Sequence, residues 1–160
     1  MYKERFLLSE FFAEKKYRFL EDIAINNSFL PAKKIDNLIF VSSATPLRFD
    51  DSEIVGKIGG EVTVETAKEA ACLCLVHSLS LLEFSIGQSL TNKTIQAADF
   101  TFMLNTTPEF EKHSEVVDMA SDLFIDALGE RGQHSRSAIG VNSLVRNVSM
   151  VLKGVYKVRF

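Results

Sequence analysis

The sequence predicts an α+β domain, with two helices lying on one face of a sheet of four or five strands. Three observations lead there. Residues 63–82 and 107–128 repeat apolar side chains at helical spacing; several shorter segments are continuously apolar or alternate; and the two kinds are interleaved along the chain. With 160 residues, 46% of them hydrophobic, the chain suits one domain and is too apolar for disorder.

Residues 4–24 carry Phe6, Leu7, Phe11, Phe19 and Leu20 in a roughly helical rhythm with lysines on one side, and predict an amphipathic helix ending before Asn26. The stretch from Phe29 to Lys34 reads as a linker, so residues 1–30 form an N-terminal extension to a domain spanning 31–160. Leu38-Ile39-Phe40-Val41 is nearly continuously apolar, the pattern of a strand covered on both faces. A turn-rich segment follows, with room for a short strand at Pro46–Phe49.

The helix beginning after Thr63 has a good cap residue and Glu65 in its positive first turn. Its stripe of Ala67, Ala70, Ala71, Cys74 and Ser78 is small, which suits close packing on a sheet. Ile95–Leu104 alternates as a strand, placing Ala98, Phe100, Phe102 and Leu104 on one side. Thr107-Pro108-Glu109 starts the next helix, whose face is Phe110, His113, Val117, Ala120, Phe124 and Ala127, closed by Gly129. Strands at Arg136–Val141 and Val148–Val158 complete the domain. In the first of these, Ile139 and Val141 suit the helix-covered side, which turns Arg136, Ala138 and Gly140 the other way. The last strand is partly apolar on both faces, and a sheet face of that kind is expected to bury itself against another copy of the chain.

Composition and motifs exclude more than they assign. Eighteen basic against 21 acidic residues give a net charge of −3, so nucleic acid is disfavoured as a partner. The apolar run around Ala70–Val76 is short for a membrane span, and the charged N-terminus does not read as a signal peptide; a cytoplasmic protein without a membrane partner is expected. Cys72 and Cys74, two apart on a helix, cannot bridge each other or share a metal. Gly56-Lys57-Ile58-Gly59-Gly60 lacks the spacing of a phosphate-binding loop. His77, His113 and His134 show no ligand spacing, so neither metal nor cofactor is expected. One segment stands apart, from Gly129 to Val141. An arginine at the start of a strand, followed on its own face by small residues, leaves space for a small molecule, and its planar fork suits a carboxylate. The same arginine could instead pair with Asp or Glu across a subunit contact.

Leu38-Ile39-Phe40-Val41-Ser42-Ser43, then Gly56-Lys57-Ile58-Gly59-Gly60 with Thr63-Val64-Glu65-Thr66-Ala67, then His134-Ser135-Arg136-Ser137-Ala138-Ile139-Gly140-Val141 with Leu144 resemble the YjgF-like, or Rid (reactive intermediate deaminase), family. The resemblance is to its longer-chain branch, labelled endoribonuclease L-PSP or YjgF/chorismate-mutase-like, and covers about Asp36 to Val158. It implies a chorismate-mutase-like β(β)αβαββ fold and a homotrimer with sites in the clefts between subunits. It further implies that Arg136 holds a substrate carboxylate and that Ser42, Ser43, Asp118, His134 and Ala138 line the pocket. The activity implied is hydrolysis of an imine or enamine to a keto acid and ammonia. The chain departs from that pattern where the family's glutamate of the last strand becomes Val151, which can neither transfer a proton nor anchor water. Asp118 replaces an asparagine and is expected to compete for the Arg136 guanidinium. The expected function is therefore binding of small 2-imino or 2-keto acids with weak or lost deaminase (hydrolase) activity. The alternatives are RNA cleavage through His134 beside Arg136, or a non-catalytic trimeric interaction protein.

Overall fold

A computed structural model describes residues 4–160. The elements run α1 (Leu8–Glu14), β1 (Ala32–Ile35), β2 (Leu38–Val41), α2 (Val64–Ile86), β3 (Ile95–Asn105), α3 (His113–Leu128), β4 (Ser135–Val141) and β5 (Met150–Val158). Five strands form one mixed sheet in the order β1-β2-β5-β3-β4, in which only β3 and β4 run parallel. The predicted α+β class with α2 and α3 over one sheet face is the architecture found.

α2 begins where its cap predicts: the Thr63 hydroxyl accepts the Thr66 backbone N–H at 3.2 Å. It ends at Gly87, whose left-handed φ of 65° few other residues adopt at low cost. The small stripe Ala67, Ala70, Ala71, Cys74 and Ser78 is fully buried against the sheet. Among the described residues α2 alone is long and apolar enough to cross a bilayer, which the short apolar run in its middle did not suggest, but here most of that length is buried as a core helix. Glycine matters once in this layer: a Cβ on Gly154 would sit 2.7 Å from the Tyr156 ring, whose hydroxyl bonds Ser78 at 2.8 Å beneath α2.

Several boundaries differ from expectation. The N-terminal helix spans 7 residues, about two turns, rather than residues 4–24, because the chain turns sharply at Lys16 (φ 67°). Even so, Leu8, Phe11, Phe12 and Phe19 join the same hydrophobic core as the strands. The expected linker contains β1, which pattern reading misses because three of its four residues are exposed edge positions. β2 is covered on one face only: Ile39 and Val41 are buried while Leu38 and Phe40 are exposed. Pro46–Phe49 forms a single bridge, Leu47 to Glu53, and no strand. A bulge at Ala98 shifts the register in β3, so Ala97 rather than Ala98 takes the buried position before Phe100. α3 starts at His113, since Thr107–Phe110 closes a turn first (Phe110 N–H to Thr107 O, 3.2 Å).

The most consequential difference is in β4. Arg136 reaches α3, and a Cβ on Gly140 would meet His113 of α3, so Arg136, Ala138 and Gly140 face the helices. Ile139 then points to the helix-free face and is 47% exposed. Pairing places Met103 and Val151 beside Ile139 on that face, with Val155, Phe40 and Leu38 further along. The helix-free face therefore carries apolar side chains from β4 across to β2, interspersed with Thr101, Lys153 and Lys157.

Candidate functional site around Arg136

The β3–α3–β4 crossover lays β4 parallel to β3, at the sheet edge. Pairing sets Arg136 opposite Phe100, just under α3. From α3, Asp118 and Ser121 stand one turn apart and both meet the guanidinium. Nη2 of Arg136 lies 2.8 Å from Oδ1 of Asp118, and Nη1 donates to the Ser121 hydroxyl at 3.0 Å. The arginine side chain is 20% exposed and the aspartate 56%, so the pair stands at the rim of the helix layer and opens to one side.

His134 completes a chain of hydrogen bonds. Its Nδ1 lies 2.6 Å from the Gly132 carbonyl, which can only accept, so Nδ1 carries the proton. Nε2 is then an acceptor for the Ser121 hydroxyl at 3.0 Å, and that hydroxyl oxygen in turn accepts from Arg136. The ring rests on Phe100 with centroids 4.2 Å apart. The run from Gly132 through His134 and Ser121 to Arg136 fixes the guanidinium and presents it beside Asp118.

Burial lowers the His134 pKa below its ordinary 6.5, opposed by the Gly132 bond and assisted by the Arg136 charge. Burial lowers His77 likewise; its Nδ1 accepts the Thr45 N–H at 3.0 Å, which makes it a tether for the segment after β2. Both imidazoles are neutral when folded and protonate near 6.5 when unfolded, so their contribution is complete above pH 6.5 and is lost as pH falls toward their lower folded values. The urea midpoint is expected to drop on acidification from pH 7 to 5. A midpoint flat over that interval would contradict the neutral, buried assignment.

The structure brings together Arg136, Asp118 and His134, three of the residues singled out from sequence. Ala138 follows two positions on, partly buried against the core. Ser42 and Ser43 do not join them. They end β2, three strand spacings (roughly 14 Å) across the sheet from β4. Ser42 instead donates its hydroxyl to the Leu30 carbonyl at 2.7 Å. Val151 is buried on the helix-free face, opposite to the face that carries Arg136. One protomer thus holds an arginine clamp and none of the implied proton-transfer group. Ser121, the hub of the network, was missed; its spacing of three from Asp118 on one helix was the available signal. Among the described residues, no group of three or more His, Cys, Asp or Glu is placed to hold a metal ion.

No family model matches the chain. A curated relative, Protein TCP17 of Trypanosoma cruzi, is 28% identical over 107 residues, 66% of this chain and 66% of its own length. Among solved structures, the protein Atu1372 of Agrobacterium tumefaciens superposes with a TM-score of 0.84 at 26% identity, covering 95% of this chain and 92% of that one. A candidate endoribonuclease of Shewanella oneidensis gives 0.81 at 20% identity over 91% and 95%. Escherichia coli TdcF with bound serine gives 0.57 at 17% over 86% and 91%. The structural neighbours are proteins of the endoribonuclease L-PSP/RidA/YjgF family, and the mixed sheet with its helices is the fold they have.

Proposed function

We propose that this chain, a structural neighbour of the RidA/YjgF proteins, binds small carboxylate-bearing metabolites of the 2-imino and 2-keto acid type in a cleft between copies of itself. The observation that carries the reading is the Arg136 guanidinium, held in place by Ser121 and Asp118 at an open sheet edge. A planar fork fixed in advance loses little freedom on gripping a carboxylate. Asp118 adds a preference: a ligand with a cationic nitrogen beside its carboxylate meets both charges. A fold neighbour with serine bound supports a ligand of that size and kind.

A homotrimer is part of the proposal. Ile35, Leu38, Phe40 and Ile139 are exposed, and pairing sets Leu38, Phe40 and Ile139 on the helix-free face, a surface a partner copy would cover. Ser42 and Ser43 stand too far from Arg136 to share its ligand within one protomer, and a neighbouring copy would supply them. With Val151 where a glutamate would act, deaminase turnover is expected to be weak or absent. Arg136→Ala is expected to abolish calorimetric binding of 2-ketobutyrate and of serine while the variant still sediments as a trimer. Unchanged binding in that variant, or a monomer in the parent protein, would sink the reading.

The second reading is RNA cleavage, favoured by the neighbours described as candidate endoribonucleases. The histidine it would use beside a cation is His134, and both of its ring nitrogens are already engaged by Gly132 and Ser121. Cleavage of a fluorescent RNA that the parent performs and His134→Ala does not would establish it.

A further inference from the structure

A recess of about 470 Å³ opens where β3 and β4 end, beside the start of α3. Thr106, Thr107 and Phe110 line it from the segment after β3, His113 from α3, and Val141 and Asn142 from the end of β4. It stands at the carboxyl ends of the parallel pair, the end of a βαβ unit at which ligands are commonly taken. Gly140 and Arg136 share a face of β4 four residues apart, roughly 13 Å, so this place is separate from the carboxylate site.

Main-chain bonds and one lysine fix its walls. The Thr106 N–H donates to the Val141 carbonyl at 3.4 Å and the Thr107 N–H to the Ile58 carbonyl at 3.0 Å. Lys57 donates its ammonium to the Asn105 side chain at 2.8 Å and to the carbonyls of Thr106 and Asn142, which ties the two strand ends together. The side chains are left over. Among the described residues, those of Thr106, Thr107, His113 and Asn142 form no hydrogen bond or ion pair within the chain. Two of them converge: a Cβ on Gly140 would stand 2.5 Å from Nε2 of His113 and 3.0 Å from Oγ1 of Thr106, so imidazole and hydroxyl meet over backbone that a side chain would block.

The lining selects the ligand. No Asp, Glu, Lys or Arg side chain is part of it, so a charged group would give up its hydration there without a formal partner. The two hydroxyls and the amide each donate and accept, which suits an uncharged molecule bearing both kinds of group. The rings of Phe110 and His113 stand at 70° with centroids 5.2 Å apart, a corner in which a flat ring can lie on one face and meet the edge of the other. Asn142 carries a donor and an acceptor side by side, the match for neighbouring acceptor and donor atoms on the edge of a base. The volume falls within the range of small-molecule sites, about 300–1,000 Å³. The geometry points to a second ligand site in this recess, one that takes an uncharged nucleobase or its nucleoside.

Isothermal titration of the full-length protein with adenosine, guanosine, cytidine and uridine in turn tests the site. Saturable binding of at least one is expected, and none of ribose, which lacks the base. Asn142→Ala should weaken that binding about tenfold, the usual worth of a two-bond amide contact to a base. Gly140→Ala, whose methyl group would displace the His113 ring, should weaken it as well. Arg136→Ala should bind the nucleoside as the parent does, so the outcome does not depend on the carboxylate reading. Circular dichroism melting of each variant without ligand shows whether the fold is kept, and Asn142→Ala, at an exposed position, decides the matter if Gly140→Ala does not fold. No saturable binding of any of the four, equal binding of ribose, or undiminished affinity in Asn142→Ala overturns the proposal. A 12-nucleotide RNA bound far more tightly than any nucleoside would also overturn it, in favour of a nucleic-acid surface.

Discussion

Phe100→Ala is expected to lower the stability of the fold by about 3–5 kcal/mol, the usual cost of emptying a buried aromatic site. Phe100 is fully buried and central to an aromatic cluster. Its ring stands 6.3 Å from Phe102, 5.8 Å from Phe124, 5.4 Å from Tyr156 and 4.2 Å from His134. Those neighbours come from β3, α3, β5 and the approach to β4, so no single side-chain movement closes the gap. For a chain of this size the loss corresponds to a fall in melting temperature of roughly 10 °C or more. The same ring supports His134, and through it Ser121 and Arg136, so ligand binding should weaken in the folded fraction as well. Denaturant unfolding measures the first effect and calorimetry at low temperature the second. A loss below about 1 kcal/mol would mean that the cluster repacks and is not the rigid support described.

How much of this the residues declared beforehand follows from what hydrophobic pattern can and cannot encode. α2 was readable because its cap, its small stripe and its terminal glycine all agree. The start of α3 was not, because Pro108 serves a turn as well as it serves a first helical position. β1 was invisible: an edge strand bearing Lys33 and Lys34 has no buried face to advertise. The inversion of β4 has a different cause. Alternation separates two faces but does not say which is which, and Ile139 was assigned to the helix side because it is apolar. The helix-free face of this sheet carries apolar residues too, Met103 and Val151 beside Ile139 among them, so hydrophobicity could not break the tie. The proximity of Asp118 to Arg136 was legible only through the family resemblance, and Ser121 not at all, since a serine on a buried helix face reads as ordinary small packing. Ser42 and Ser43 were grouped with Arg136 by a resemblance that describes an assembly, and one chain cannot show that grouping.

Asp118→Asn should reverse the ligand preference of the Arg136 site. In the parent, the Asp118 carboxylate lies on one arm of the guanidinium at 2.8 Å, so an incoming carboxylate must share that arm and approach a like charge. A 2-keto acid has nothing to offer in return, whereas an amino acid presents its ammonium to Asp118 and its carboxylate to the remaining N–H groups of Arg136. Asparagine keeps an oxygen that can accept from Nη2 but carries no charge. The variant is therefore expected to bind 2-ketobutyrate roughly tenfold more tightly and serine more weakly, a tenfold change being about 1.4 kcal/mol. Stability should move by less than about 1 kcal/mol, because the pair is solvent-accessible and Ser121 still holds the arginine. Opposite shifts for the two ligands are the signature. If both affinities rise together, Asp118 acts only as a competitor and meets no ligand nitrogen; if neither changes, the ligand does not approach Arg136 from the side that Asp118 guards.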